Sequence, residues 1–536
     1  MISLENFPYE SIRPEQENVI NQLNANWDNY KYFIINASPG VGKSAIAKTI
    51  CNHYDKSIIL TSTRQLQEQY VRDFPDILSI KGRSNYQCLH DTRFNCDNAP
   101  CSNDPSLKTY HPFCPFDNKL ALAQDASCTV TSYAFYLNSK SKWENRSLIV
   151  LDECHNFDNI LISHFQFKLD PYQLDADTDF LDDIREDFKT FMMFTMDRKQ
   201  SGYYNNEEWI LAIRKELSKK LDRMLNELKE QRKQINNNLE LNEQDLIDEL
   251  LNKNKKFIEY DRLLRQINCV INDFYKESNW IIEPDGKGLV FIPINVSKLF
   301  TKQINQNKIV FMSASIVNID GFLKELGLSK NKVCIINQES SFDPQRSPIY
   351  VVPSGKLDYK NIDENLPKVI ETTEKILNSH KHVKGIIHST NYKITNSLIE
   401  NIDSERLIYK QNENITNMDL LKEHSNREDA TVLVSPSLTE GTDLKDDLSR
   451  FQVIVKLPFI SLSDKRVKRK IEEDKDWYIC EMLKTLLQSC CRSTRSQSDW
   501  SKTYILDSSF IYYIQKYSHW LPQSFLKRIK FVKRKS

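Results

Sequence analysis

Glycine is scarce in this chain. Its 536 residues include 11 glycines, where average usage would give about 37. The chain is rich in Asn, Lys and Ile, and that bias makes the retained glycines informative: Gly40, Gly42, Gly82 and Gly441 all fall in short motifs. Net charge is missing too, since Lys+Arg and Asp+Glu both count 73. That balance excludes a global electrostatic pull toward nucleic acid, so any such surface must be local. No apolar stretch reaches the roughly 20 residues needed to span a bilayer. Met1 to Glu10 carries acids and a proline instead of a basic start and an apolar run, so no secretory signal is expected. A cytoplasmic location follows as the expectation, or a nuclear one in a eukaryote. The basic C-terminal run, with Lys527, Arg528 and Lys530, reads as a solvated end.

What remains suffices for about three to four domains, with 40% hydrophobic and 27% charged residues. Short β-rich runs at 32–36, 57–62, 128–133, 147–153 and 308–315 form one set. A second set lies at 349–354, 384–389, 431–436, 451–459 and 502–509. Runs of Ile, Val and Leu separated by helical stretches predict parallel strands covered on both faces. The fold class is therefore α/β, with two tandem parallel-sheet domains. Two segments break the rhythm. Residues 80–127 have weak periodicity. Residues 157–280 are charged and helical, and Ile210, Ile213, Leu217, Leu221, Met224 and Leu228 make one apolar stripe. A second helical stretch carries Leu246, Leu250, Phe257 and Leu264, with a turn at Asn236-Asn237-Asn238. The expectation is an antiparallel helical hairpin.

Ala37-Ser38-Pro39-Gly40-Val41-Gly42-Lys43-Ser44 follows a strand and precedes a helix-prone run. In that context Gly40 and Gly42 let backbone N–H groups turn inward around phosphate oxygens, Lys43 can reach the β- and γ-phosphates, and Ser44 can ligate Mg²⁺. Asp152-Glu153-Cys154-His155 ends an apolar strand, where ligands of parallel sheets bind. Asp152 suits Mg²⁺, and Glu153 suits the attacking water as base. Gln488 to Arg495 contributes Arg492 and Arg495, three apart on an expected helix face, as cations for the transition state. Four cysteines, Cys88, Cys96, Cys101 and Cys114, stand with seven, four and twelve residues between them. In a reducing compartment such a group more often binds metal than forms disulfides. Zinc knuckles usually show two short pairs, whereas an iron–sulfur cluster tolerates wide spacing. His90 and His111 read as bystanders, and Cys128 as a strand thiol.

Taken together, these motifs resemble the XPD/DinG-type iron–sulfur helicases of superfamily 2, in order and along nearly the whole chain. Phe7-Pro8-Tyr9 with Arg13 and Gln16 looks like the family's adenine-recognition motif. Thr61 to Leu66 looks like motif Ia, and Lys81 to Cys88 like the entry to the cluster domain. Ser313-Ala314-Ser315, Ser389 to Tyr392 and Glu440 to Asp443 look like motifs III, IV and V, the last with Gly441 and Asp443; Gln488 to Arg495 looks like motif VI. Cys491 replaces the family's glycine. The resemblance implies two RecA-like motor domains, the first made of 1–79, 129–156 and 281–330 and the second of 331–536. It places a [4Fe-4S] cluster domain at 80–128 and an arch at 157–280. It implies ATP, Mg²⁺ and the cluster as cofactors, with the four cysteines as ligands. The implied activity is 5′→3′ unwinding by a monomer on single-stranded DNA and duplex junctions, without sequence preference, and with the arch open to a protein partner. Arg64, Lys81, Arg83, Tyr86 and Tyr392 are the candidate DNA contacts. The alternatives are a nucleic-acid remodeller that does not unwind processively and an inactive motor used as a scaffold.

Overall fold

The computed structural model describes residues 2–90, 92–99, 113–169, 280–285, 288–412, 415–436, 446–491 and 499–532, with positions 215, 219, 222, 223, 226, 227, 230, 256 and 259–268 between them. Two seven-stranded parallel sheets dominate. The strands of the first are β1 (Tyr32–Ala37), β2 (Ser57–Thr61), β3 (Leu78–Ser79), β4 (Cys128–Ser132), β5 (Leu148–Asp152), β9 (Lys308–Ser313) and β10 (Val333–Gln338), in the order β10-β1-β9-β5-β2-β4-β3. Those of the second are β11 (Ile349–Gly355), β12 (Gly385–His388), β13 (Leu407–Tyr409), β14 (Val432–Ser435), β15 (Phe451–Ile454), β16 (Lys502–Asp507) and β17 (Ile529–Phe531), in the order β13-β14-β12-β15-β16-β11-β17. The expected pair of parallel α/β domains is the observed architecture.

The apolar runs have the cause that the sequence implies. Ile149 and Leu151 of β5 enter one core with Phe157, Phe300 and Phe311, while Leu148 and Val150 enter the opposite core with Val19, Ile46 and Tyr70. Successive side chains point to opposite faces, so a strand buried on both must be apolar throughout. Helices α1 (Pro14–Asn26), α2 (Lys43–Cys51) and α3 (Arg64–Asp73) lie on the second face.

Several boundaries need correction. Tyr133 begins a helix, Tyr133–Asn138, instead of ending a strand, and β15 stops at Ile454, well short of residue 459. β10 pairs along β1 from Tyr32↔Val333 to Ala37↔Gln338, so the first sheet runs past residue 330. The helix Phe157–Phe165 packs Phe157, Leu161 and Ile162 into the first core, so the first domain extends beyond residue 156. A third, antiparallel sheet joins β6 (Phe167–Leu169), β7 (Trp280–Asp285) and β8 (Gly288–Pro293) in the order β6-β8-β7. It brings the two ends of the long insert together.

Most of the expected hairpin, including the apolar stripe and the Asn236-Asn237-Asn238 turn, lies outside the described residues. Lys215, Lys219, Asp222, Arg223, Asn226, Glu227 and Glu230 are helical and exposed, which is the polar complement of that stripe. The second helical stretch ends with Tyr260 and Ile267 buried in the first core. Among the described residues, no helix is long and apolar enough to cross a membrane.

Candidate functional site

The turn from β1 into α2 is made by two glycines with left-handed backbone, Gly40 at φ +84° and Gly42 at φ +92°. Gly42 caps α2, and Lys43 is its first residue. Arg13 and Gln16 are tied to this loop. Arg13 Nη1 donates to Gly40 O at 2.7 Å, Gln16 Oε1 accepts from Arg13 N at 3.0 Å, and Gln16 Nε2 lies 3.5 Å from Gly42 O. A Cβ on Gly42 would stand 2.2 Å from Gln16 Nε2, and one on Gly40 would meet the Phe342 ring at 2.3 Å. The loop is therefore closely packed on both sides, and only glycine fits.

Across the sheet, β5 ends at Asp152, which is buried. Its Oδ2 accepts from the Tyr70 hydroxyl at 2.7 Å, and its Oδ1 from Glu153 N at 2.9 Å. Burial, then the charge of Glu153, pushes its pKa up to about 6, against the pull of Lys43. Glu153 has φ +53°, a left-handed conformation rarely kept by a non-glycine residue without a role. Its carboxylate meets Lys43 Nζ at 3.8 Å and His155 Nδ1 at 3.3 Å. Lys43, Asp152 and Glu153, distant in sequence, thus meet at the top of one sheet.

His155 links the two domains. Its Nδ1 pairs with Ser313 Oγ at 2.8 Å, and Ser313 Oγ in turn accepts from Ser315 N at 3.1 Å. From the helix Lys475–Cys490 of the second domain, Gln488 Nε2 contacts His155 Nε2. From the same helix, Lys484 Nζ donates to His155 O at 3.2 Å while paired with Glu481 at 2.7 Å. That helix ends at Cys490. Arg492 and Arg495 lie outside the described residues, as do Gly441, Asp443 and Cys101.

The first domain's loop and the second domain enclose a cavity of about 60 Å³, lined by Ser38, Phe342, Cys491, Ser524 and Arg528 among others. Arg528 is the main surprise. Instead of belonging to a solvated end, it is 8% exposed, donating to Ser347 O at 2.7 Å and Cys490 O at 2.9 Å. Its neighbour Ile529 begins the edge strand β17, a cue too short to read in sequence.

The cysteine insert begins with a small hairpin. Gln87 bridges to Asn95, Cys88 N donates to Phe94 O at 3.0 Å and Cys96 N to Tyr86 O at 2.8 Å. Cys114, the N-cap of the helix Pro115–Asp125, brings its Sγ to 3.8 Å from Cys96 Sγ. Burial pushes the Cys96 thiol up to about 11, with Cys114 and Cys88 near enough to add to the effect. Cys96 and Cys114 are thus brought together, with Cys88 on the same hairpin as Cys96. Among the described residues, no group of three His, Cys, Asp or Glu is arranged as a metal site. Cys128 lies buried in β4, away from the hairpin.

Of the candidate nucleic-acid contacts, Arg64 is exposed at the start of α3, and Tyr392 is 59% exposed at the start of the helix Tyr392–Asn401. The other three also serve the insert. Lys81 pairs with Glu68 at 2.8 Å. Arg83 pairs with Asp117 at 3.7 Å and covers the Phe116 ring at 4.6 Å. The Tyr86 hydroxyl accepts from Lys81 N at 3.1 Å.

Residues 374–526 match the family model described as helicase C-terminal domain, and residues 10–167 match that of the type III restriction enzyme res subunit. A probable ATP-dependent helicase of Methanocaldococcus jannaschii is 22% identical, over 94% of this chain and 93% of that protein. A solved structure titled XPD helicase superposes with a TM-score of 0.65 at 16% identity, covering 98% of this chain and all of that one. S. tokodaii Xpd4 gives a TM-score of 0.56 at 16% identity, covering 97% of this chain and 99% of that one. The chain thus carries a helicase C-terminal domain in its second half and shares the fold of the XPD structures along its length.

Proposed function

We propose that this protein is an ATP- and Mg²⁺-dependent DNA helicase that tracks along single-stranded DNA in the 5′→3′ direction and separates duplex. The observation that carries the reading is the meeting of Lys43, Asp152 and Glu153 at the top of the first sheet, with His155 joined from there to Gln488 and Lys484 of the second domain.

The residues have the chemistry such a motor needs. Backbone N–H groups of the Gly40–Ser44 turn and the Lys43 ammonium would receive the phosphates. Ser44 and Asp152 would hold Mg²⁺, which supplies charge neutralisation on the phosphate oxygens. The buried position of Asp152 and its raised pKa fit a carboxylate that ionises against a cation. Glu153 would take the proton of the attacking water; Lys43 and His155 hold its carboxylate beside the phosphate-binding turn. Arg13 and Gln16 would read the base next to the loop they already clasp. Arg492 and Arg495 follow in sequence on the helix carrying Gln488 and would complete the site from the second domain, with Gly441 and Asp443 from the stretch of sequence after β14. Hydrolysis would then require domain closure, and that requirement converts turnover into movement.

Cys96 and Cys114, whose sulfurs lie 3.8 Å apart, would hold a [4Fe-4S] cluster together with Cys88 and Cys101, bracing an insert poor in apolar residues. Arg64 and Tyr392 would contact the strand from the two domains, the first through phosphate and the second through base stacking. The test is ATPase activity with and without single-stranded DNA. Lys43→Ala should abolish turnover and leave DNA binding intact; retained turnover would refute the site.

A further inference from the structure

Tyr70 belongs to none of the motifs. It lies within α3, its side chain wholly buried, and its hydroxyl donates to Asp152 Oδ2 at 2.7 Å. The phenol therefore touches one of the residues that would hold Mg²⁺. With Glu153 N on Oδ1 at 2.9 Å, the Asp152 carboxylate has a partner on each oxygen and a single orientation. Partners behind a ligand commonly fix its geometry and tune its affinity.

The helix that carries Tyr70 also carries Arg64, read above as a strand contact. Its N-cap is Thr63, whose Oγ1 accepts from Leu66 N at 3.2 Å, and its first residue is the exposed Arg64. Between them and Tyr70, Gln67 is 1% exposed, and its amide donates to Ser79 Oγ at 2.8 Å and Ile80 O at 2.9 Å. Gln67 and Tyr70 are three apart and share a face. Arg64 stands about 9 Å along the axis from Tyr70, at 1.5 Å per residue. The helix is thus pinned at two points, one at the sheet edge where the chain leaves for the cysteine insert and one at Asp152.

We propose that Tyr70 is the positioning residue for the Mg²⁺ ligand Asp152, and that α3 carries strand occupancy at Arg64 to it through the Tyr70 hydroxyl. The proposal rests on the nucleotide-site and strand-contact reading given above. A shift of α3 along its axis would move the phenol from Asp152, so the strand and the cation would bias one rigid element.

The experiment uses the full chain and its Tyr70→Phe variant, which keeps the ring and its packing on Phe74 at 6.2 Å. Affinity for a fluorescent ATP analogue is measured with Mg²⁺ and with EDTA, each with and without a single-stranded oligonucleotide. Each variant supplies its own Mg²⁺-to-EDTA ratio, which a partly unfolded preparation leaves unchanged. In the wild type, Mg²⁺ should strengthen binding and the oligonucleotide should enlarge that gain. In Tyr70→Phe, affinity in EDTA should stay within about twofold, while the Mg²⁺ gain falls by about tenfold, the value of one hydrogen bond to a charged group, and no longer responds to the oligonucleotide. A Mg²⁺ gain that survives intact, or an equal loss in EDTA, would overturn the proposal. Lys43→Ala separates the two levels: nucleotide affinity equal to wild type in both buffers would overturn the site reading itself, and the proposal with it.

Discussion

The contact between Gln488 and His155 should behave as one functional unit across the two domains. Gln488 Nε2 meets His155 Nε2, and Gln488 Oε1 is buried with no partner, so the amide is committed to this contact. His155 in turn holds Ser313 at 2.8 Å. The net worth of such a hydrogen bond is about 1 kcal/mol, or roughly fivefold at 1.4 kcal/mol per factor of ten. Lys484 also donates to the main-chain oxygen of His155 at 3.2 Å, and that contact survives His155→Ala. Gln488→Ala and His155→Ala should therefore each slow DNA-stimulated ATPase turnover by a graded amount. The double variant should be about fivefold more active than the product of the single losses predicts, a coupling of about 1 kcal/mol. Strictly multiplicative losses would refute the reasoning, because the two side chains would then act independently.

Other outcomes follow from the same geometry. Cys96→Ser should remove iron and acid-labile sulfide from anaerobically purified protein, whereas Cys128→Ser, buried in β4, should remove neither; iron and sulfide analysis checks both. The Asp152 pKa, raised to about 6 by burial, means that the metal-free site takes up a proton as pH falls through that value. Half-saturating Mg²⁺ for ATPase should accordingly rise below pH about 6 and hold steady above it. The same raised pKa makes Asp152 a stabilising group in the metal-free fold below about pH 4, an effect lost as pH climbs through about 6. Thermal melts of Asp152→Asn, compared with wild type across that range, should lack this pH dependence.

Much of the architecture was legible because its causes are local. β2 and β5 are buried along their whole length, and an unbroken apolar run is what such a strand requires. The Gly40–Ser44 turn depends on two left-handed residues that only glycine occupies without strain. The antiparallel sheet had a usable cue, since Asp285-Gly286 separates two apolar runs. β10 was obscured because it lies far along the chain from the strand it pairs with; nothing near Val333 announces Tyr32 as its neighbour. Tyr70 and Lys484 escaped for a related reason. A tyrosine or lysine on an amphipathic helix looks ordinary until the fold brings Asp152 or His155 against it. Arg528 was misleading, because a basic run at a chain end is usually solvated, and only its bonds to Ser347 and Cys490 take it inside.

The central claim is that ATP turnover between the two domains drives strand separation. It is tested most directly by strand displacement with anaerobically purified protein, on duplexes carrying either a 5′ or a 3′ single-stranded tail. ATP- and Mg²⁺-dependent unwinding from the 5′ tail alone, lost in Lys43→Ala, is the expected result. Unwinding from the 3′ tail alone would overturn the direction, and active ATPase without displacement from either tail would contradict the helicase claim in favour of a remodeller.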